Sequence, residues 1–356
     1  MFLILEDKHL SYEKLIIQIN NGSVDNFFSS FVADLVSNNN IDLLNYKLNN
    51  QKSTVIDKND LKNKILNSKS KIILKTSGTT GEPKIKEHKV SFLLERTKKF
   101  NYSSCWLFTY NKFHMGGIQV LLQVLVNFDT IIDAHNKSRD YITNCIHTHS
   151  VSNISATPTF YRLLMPYENK FHSVKRITIG GERVDRETLQ LIKNNFPNSK
   201  INNIYATTET GAILFSKTDQ FKLNDRILIK NGVLFVKVSD SSLHDTGDLV
   251  EMIDDETFIF CGRNKNIINV GGRNVNPIQI EDIIKKHSCV KDVVVYGREN
   301  KLLGNVLTCD IVLISEVTKK EIRQFLKQNI EEMYMMPRII NFKESLKISD
   351  TNKVLR

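Results

Sequence analysis

Between Cys105 and Ile204 short apolar runs alternate with stretches of helical period, and that alternation narrows the possible folds more than any other feature of the chain. The runs are Cys105 to Thr109, Asp129 to Asp133, Asn153 to Ala156, Arg176 to Ile179 and Ile201 to Ile204. Helical stretches separate them: an apolar one ending at Val126, then Lys137 to His147, Pro158 to Met165 and Arg186 to Asn195. Short strands that are each followed by a helix predict a parallel sheet with helices packed against it.

The flanks read differently. Phe2 to Leu5 is a strand, and Ser11 caps a first helix. Phe27 to Val36 and Asn59 to Leu66 are helices separated by an Asn-rich break at Asn38 to Asn40. Lys89 to Phe100 is an amphipathic helix, because Val90, Leu93, Leu94 and Thr97 recur at helical spacing. From Arg226 the segments shorten, and Asn231-Gly232 between alternating apolar residues marks a β-hairpin. Helices at Ile280 to Lys286 and Lys319 to Asn329, with strands at Val290 to Tyr296 and Leu307 to Leu313, give the last part α+β character. A chain of 356 residues exceeds one ordinary core and fits two domains.

Two strings carry chemistry. Directly after the apolar run Ile72 to Leu74 the chain reads K-T-S-G-T-T-G-E-P-K, from Lys75 to Lys84. Gly78 and Gly81 permit close backbone approach, so successive N–H groups can face one anion. Thr76, Ser77, Thr79 and Thr80 add hydroxyl donors and Lys84 a point charge. The Walker spacing fails, since Glu82 and Pro83 intervene before the lysine. The second string is Tyr205-Ala206-Thr207-Thr208-Glu209-Thr210-Gly211, after the run at Ile201. An aromatic ring, paired threonines and a carboxylate at a strand end can stack a base, bind a phosphate and hold a hard cation on oxygen. Either string alone is also compatible with a polar turn.

Together the two strings resemble the phosphate loop and the Y-G-x-T-E motif of the adenylate-forming superfamily, which contains acyl-CoA synthetases, luciferases and peptide-synthetase adenylation domains. Ala206 replaces the commoner glycine. Further matches follow in order: Gly180-Gly181-Glu182, Thr246-Gly247-Asp248, Cys261-Gly262-Arg263 and a lysine close to the last residue, Lys353. The resemblance implies an α/β fold with a large N-terminal adenylation domain, residues 1–265, of mixed parallel sheets, flanking helices and a small β subdomain. A small mobile α+β lid, residues 266–356, would follow a hinge at Asn266, where the family usually has Asp or Lys. Fewer residues precede the phosphate loop than is usual in the family, which implies a trimmed N-terminal part.

The resemblance also implies roles. The loop from Thr76 to Lys84 would hold the outer phosphates of ATP, Thr208 the α-phosphate, and Glu209 Mg²⁺. Gly180, Gly181, Glu182 and Tyr205 would lie beside adenine, with Asp248 and Arg263 at the ribose. Thr208, Glu209 and Lys353 would be catalytic, with Lys353 preferred over Lys347. His114, Gly116 and Gly117 would line the acyl pocket, although His114 also reads as an ordinary helix-start histidine. Gly271 and Gly272 would let a pantetheine arm pass the backbone, or mark a bulge in a strand. The substrate would be a small carboxylic acid and the acceptor coenzyme A, with an acyl carrier protein as the alternative. In size the chain is similar to the smaller acyl-CoA ligases, including those that activate o-succinylbenzoate.

Composition bounds the remaining classes. The formal net charge of +10 favours anionic partners, but no Arg-rich or aromatic-basic tract accompanies it, so nucleic acid is not expected. No basic leader or long apolar run predicts a signal peptide or membrane span. Five scattered cysteines without a C-x-x-C pair argue against a zinc site and fit a reducing cytoplasm. His147 and His149 lack a third ligand at a characteristic spacing. A nucleotide-binding relative with weakened catalysis is the alternative of a different class, prompted by Asn266 and by Asn352 where glycine is common. The number of subunits is not legible.

Overall fold

The computed structural model describes residues 2–5, 8–48, 56–76, 84–165, 170–207, 210–239, 242–300, 304–349 and 353–355. They fall into two units, Met1–Asp219 and Gln220–Arg356.

The first unit is built on an eight-stranded sheet. From one edge to the other its strands are Gly211–Ser216, Lys200–Thr207, Arg176–Gly180, Asn153–Ala156, Cys105–Phe108, Thr130–Asp133, Leu3–Ile4 and His9–Leu10. The two edge strands pair antiparallel and all inner pairs are parallel, as the strand-helix rhythm predicts. Cys105–Phe108 has the next strand in sequence, Thr130–Asp133, on one side and the one after, Asn153–Ala156, on the other. The winding therefore reverses there, and the connections leaving the carboxyl ends of Cys105–Phe108 and Asn153–Ala156 diverge. A crevice at such a reversal is where open α/β sheets bind ligands.

Helices Tyr12–Asn21 and Phe27–Ser37 begin at the Ser11 and Asn26 caps, and their apolar faces pack on the sheet through a core that includes Phe28, Phe31 and Leu15. Phe28 stacks edge-on against Phe108, with ring centroids 5.4 Å apart, and so ties the N-terminal helices to a strand that ends at the reversal. A separate core around Tyr161, Phe171 and Phe196 contains Ile154, Ile177 and Ile179 from the strands. The hydroxyl of Tyr161 donates to the carbonyls of Ile154 and Thr178, at 3.2 and 3.1 Å.

A three-stranded sheet, Ile41–Asp42, Lys71–Thr76 and Lys84–Lys89, corrects one expectation. The helix read from Lys89 to Phe100 is confined to Val90–Leu94, and the residues before it form a strand. Lys84 to Lys89 pair antiparallel with Lys71 to Thr76, so the helix begins only after Lys89; it carries Val90, Leu93 and Leu94 as expected and ends at Leu94. The register sets Thr76 opposite Lys84, on either side of the Gly/Thr string.

The second unit holds a five-stranded antiparallel sheet in the order Gln220–Lys222, Thr257–Arg263, Ser242–Met252, Val233–Ser239 and Ile227–Lys230. Asn231 and Gly232 both have positive φ, 50° and 72°, as the hairpin signal requires. The strands Val290–Asn300, Gly304–Leu313 and Ile339–Lys343 form a further sheet that packs with helices Pro277–Lys285 and Lys319–Asn329. Asn266 ends a 3-10 turn, Asn264–Asn266, inside this unit, and the division between the units falls earlier in the chain. The α/β class, the small β sheet and the α+β carboxyl-terminal part are as expected. Among the described residues no helix is long and apolar enough to cross a membrane.

Phe28 is 2% exposed. We expect Phe28→Ala to destabilise the first unit by about 3–5 kcal/mol in urea unfolding; a loss under about 1 kcal/mol would show that this ring is not part of a close-packed core.

Candidate functional site

Among the described residues, the carboxyl edge of the main sheet carries Gly180, Gly181, Glu182 and Tyr205, while Thr76 and Lys84 lie on the separate three-stranded sheet. Strand Arg176–Gly180 ends in Gly180, and Gly181 turns the chain with φ 85°. The Glu182 carboxylate accepts from the Thr159 backbone N–H at 3.1 Å and from its hydroxyl at 2.7 Å. Arg162 donates to the same hydroxyl at 2.9 Å. Glu182 thus joins the turn after one strand to the helix Pro158–Leu164 that follows its neighbour. What this turn offers a flat ring is the Gly180-Gly181 backbone, and the Glu182 side chain holds that backbone in place.

The next strand over, Lys200–Thr207, sets Ile204 beside Gly180 and brings Tyr205 to the same edge. Tyr205 is half-buried, and the register slips between Tyr205 and Ala206 where the strand meets Gly211–Ser216. Thr207 and Thr210, the described residues on either side of the connection between these strands, are each held in place. Thr207 Oγ1 accepts from the Thr210 N–H at 3.2 Å and lies 2.8 Å from the Thr210 hydroxyl. Arg96 donates from Nη2 to the Thr210 carbonyl at 3.2 Å and from Nη1 to the Phe92 carbonyl at 2.9 Å, with its guanidinium 3.7 Å over the Phe92 ring. Gly211 has φ 69°, and a Cβ there would come 2.6 Å from Arg96 Nε. Glycine is required twice at that position, by the backbone and by the arginine. Thr208 and Glu209 lie outside the described residues, as do Ser77, Gly78, Thr79, Thr80 and Gly81. Thr76 and Lys84 are placed by their strand pairing.

At the winding reversal, His114 is the N-cap residue of helix Met115–Asn127. Gly117 is needed for contact: a Cβ would lie 2.5 Å from the Asn111 carbonyl oxygen and 3.1 Å from Phe108 Cζ. Gly116 faces the ring of Tyr110, whose hydroxyl points toward Gly180. Tyr110, Arg96 and Thr159 were not legible as site residues. Tyr110 carried one usable signal, its position immediately after the apolar run at Cys105; the others are brought to the edge only by tertiary packing.

In the second unit Arg263 Nε donates to Asp248 Oδ1 at 2.7 Å across adjacent strands. Asp248 is 5% exposed, its N–H held by the Thr246 hydroxyl, which donates to the Leu234 carbonyl. A buried carboxylate with an arginine on one oxygen is a fixed acceptor, which suits a hydroxyl-bearing ligand such as ribose. Gly271 and Gly272, φ 58° and 82°, form the turn of the hairpin Ile268–Val270 and Arg273–Val275, so the turn itself accounts for both glycines. Gly271 borders a cavity of about 320 Å³ whose lining includes Arg273, Tyr334, Met336 and Arg338. Near the chain end, Ser349 donates to the Lys353 carbonyl at 2.8 Å, Leu355 to that of Lys347 at 2.9 Å, and Ile348 bridges Val354. Lys353 therefore sits on a small antiparallel hairpin.

Among the described residues no group of three or more His, Cys, Asp or Glu could hold a metal ion. His147 packs on Phe171 and His149 on His9, so the two histidines of that pair have separate surroundings.

Comparison with known proteins defines the class. The family model described as AMP-binding enzyme matches residues 35–237, and the AMP-binding enzyme C-terminal domain matches residues 279–353. The chain belongs to the AMP-binding enzyme family, as its motifs implied. Among its relatives is the 2-succinylbenzoate–CoA ligase of Staphylococcus aureus (strain Newman), 24% identical over 360 residues, covering 88% of this chain and 72% of that protein. The fold is similar to that of the o-succinylbenzoate coenzyme A synthetase MenE from Bacillus subtilis in complex with AMP, with TM-score 0.69 and 18% identity over 100% of this chain and 94% of that one. It is also similar to ATP-bound MatB from Rhodopseudomonas palustris, with TM-score 0.65 and 18% identity over 80% of this chain and 66% of that one.

The Arg96–Gly211 contact is testable by a double-mutant cycle. Gly211→Ala should lose about 1–2 kcal/mol to left-handed strain alone, with the clash in addition. In the background of Arg96→Ala the clash vanishes, and we expect a coupling of about 0.5–3 kcal/mol by chemical denaturation. Strict additivity would mean that the two positions do not touch.

Proposed function

We propose that this chain is an ATP-dependent ligase of a small carboxylic acid, with coenzyme A as the thiol that receives the acyl group. In the first half-reaction a carboxylate oxygen attacks the α-phosphorus of ATP, the bond to the bridging oxygen breaks and pyrophosphate leaves with that electron pair. In the second, a thiolate sulfur displaces AMP from the acyl carbon to give a thioester. The observation that carries this reading is the pair Thr207 and Thr210, bonded to each other and held by Arg96, one strand away from the Gly180-Gly181 backbone, in a chain of this family.

Such chemistry needs positioning and charge neutralisation more than acid–base groups. The string Thr76 to Lys84 receives the outer phosphates, Thr208 the α-phosphate, Gly180 and Gly181 the adenine face together with Tyr205, and Asp248 with Arg263 the ribose. The buried Asp248 carboxylate fits two hydroxyl donors because it is acceptor-only. Glu209 would hold Mg²⁺, which would supply positive charge at the phosphates. Lys353, on its terminal hairpin, neutralises charge shared between carboxylate and phosphate. The hinge at Asn266 lets the residues from 266 onward exchange Lys353 for the thiol route past Gly271 and Gly272. Arg273 and Arg338 at the cavity beside Gly271 favour a phosphate-bearing thiol, which supports coenzyme A. An acyl carrier protein remains the other acceptor to assay.

Carboxylate-dependent ATP–pyrophosphate exchange tests the reading. Lys353→Ala should lower exchange by at least about a hundredfold, the loss seen when one transition-state donor is removed. Thioester formation from a supplied acyl-adenylate should fall far less, and equal losses would count against the hinge. For Glu209→Gln the magnesium titration should move to higher concentration. Tight ATP binding without exchange for any acid would favour a nucleotide-binding relative instead.

A further inference from the structure

At the winding reversal, the scheme above leaves the large side chain of Tyr110 without a task. It follows the strand Cys105–Phe108, beside the point where the strand order turns back. Its ring lies over Gly116 in the first turn of helix Met115–Asn127: three ring atoms stand 3.4 to 3.5 Å from where a Gly116 Cβ would be. Its hydroxyl reaches to 4.0 Å from the corresponding point at Gly180. One phenol therefore spans from a helix start to the end of the strand that precedes Gly181 and Glu182, in space that two glycines leave open.

The ring is anchored at its far end. The hydroxyl hydrogen bonds to the Ser155 side chain, and Ser155 is itself fixed by the Thr109 hydroxyl donating to its carbonyl at 2.7 Å. Burial, and secondarily the Glu182 charge, push the phenol up to about 12, so it stays neutral and able to donate a hydrogen bond through the physiological range. Tyr110 is half-buried, which leaves part of it accessible from outside the core.

We infer that Tyr110 closes the crevice beyond the carboxylate of the bound acid, so that this chain activates short-chain or otherwise compact acids and rejects long or aryl-substituted ones. The inference rests on the proposed ligase reading. A side chain at the end of an apolar pocket discriminates by size because an added methylene has nowhere to go, whereas a missing one forfeits only modest binding.

The test is ATP–pyrophosphate exchange with straight-chain acids from acetate to octanoate and with phenyl-substituted and succinyl-substituted benzoates, for the wild type, Tyr110→Ala and Tyr110→Phe. The wild type should favour the short acids. Tyr110→Ala should raise kcat/KM for the long or aryl acids relative to the short ones by at least about tenfold, and Tyr110→Phe should keep the wild-type order. The thermal shift produced by ATP serves as the folding control, and Tyr110→Leu replaces Tyr110→Ala if that variant does not fold. Exchange that proceeds with the same acid preference in wild type and Tyr110→Ala would overturn the inference and leave the ligase reading intact. Wild-type preference for the bulky acids would do the same. Absence of exchange with every acid, in a protein that binds ATP, would remove the ligase reading and this inference with it.

Discussion

Everything at the site depends on the obligation of each buried strand to pair on both sides. Thr130–Asp133 takes one flank of Cys105–Phe108, so the strand after it must cross to the other flank. The connections from neighbouring strands then leave in opposite directions, and a crevice opens at their carboxyl ends. No side chain makes that opening. It follows from hydrogen-bond saturation in a parallel sheet whose crossovers share one hand.

The side chains around the opening then make it rigid. Glu182 reaches across to Thr159 and holds the turn after one strand to the helix after the next. Arg96 fixes the far turn through the Thr210 carbonyl while lying over Phe92. Both contacts use a charged group against the ends of backbone elements. An adenine ring and a phosphate chain ask for such an edge, with backbone in front and ordered charge behind it. The same logic holds in the second unit, where Arg263 orients Asp248 and the Gly271-Gly272 turn leaves room beside a cavity.

Much of this was legible. The alternation from Cys105 to Ile204 fixed a parallel sheet because a strand and a helix have different periods and cannot substitute for each other. The Asn231-Gly232 hairpin and the cap at Ser11 follow local rules that tertiary context did not overturn. The helix expected from Lys89 to Phe100 forms only over Val90–Leu94, because its apolar spacing is short and Lys89 pairs with Lys71. The candidate site was legible where glycines and hydroxyl residues cluster in sequence, at Gly180 or Tyr205. It was illegible at Arg96, whose target lies 114 positions away.

By itself, then, the sequence determined the class of fold, the family and the short strings that make up the candidate site, because those depend on periodicity and on local backbone geometry. Only the tertiary structure decided that Glu182 serves Thr159, that Arg96 packs against Gly211, and that Tyr110 fills the space over Gly116. Those assignments depend on distances between residues far apart in the chain, and distance in space is set by how strands are ordered and helices packed.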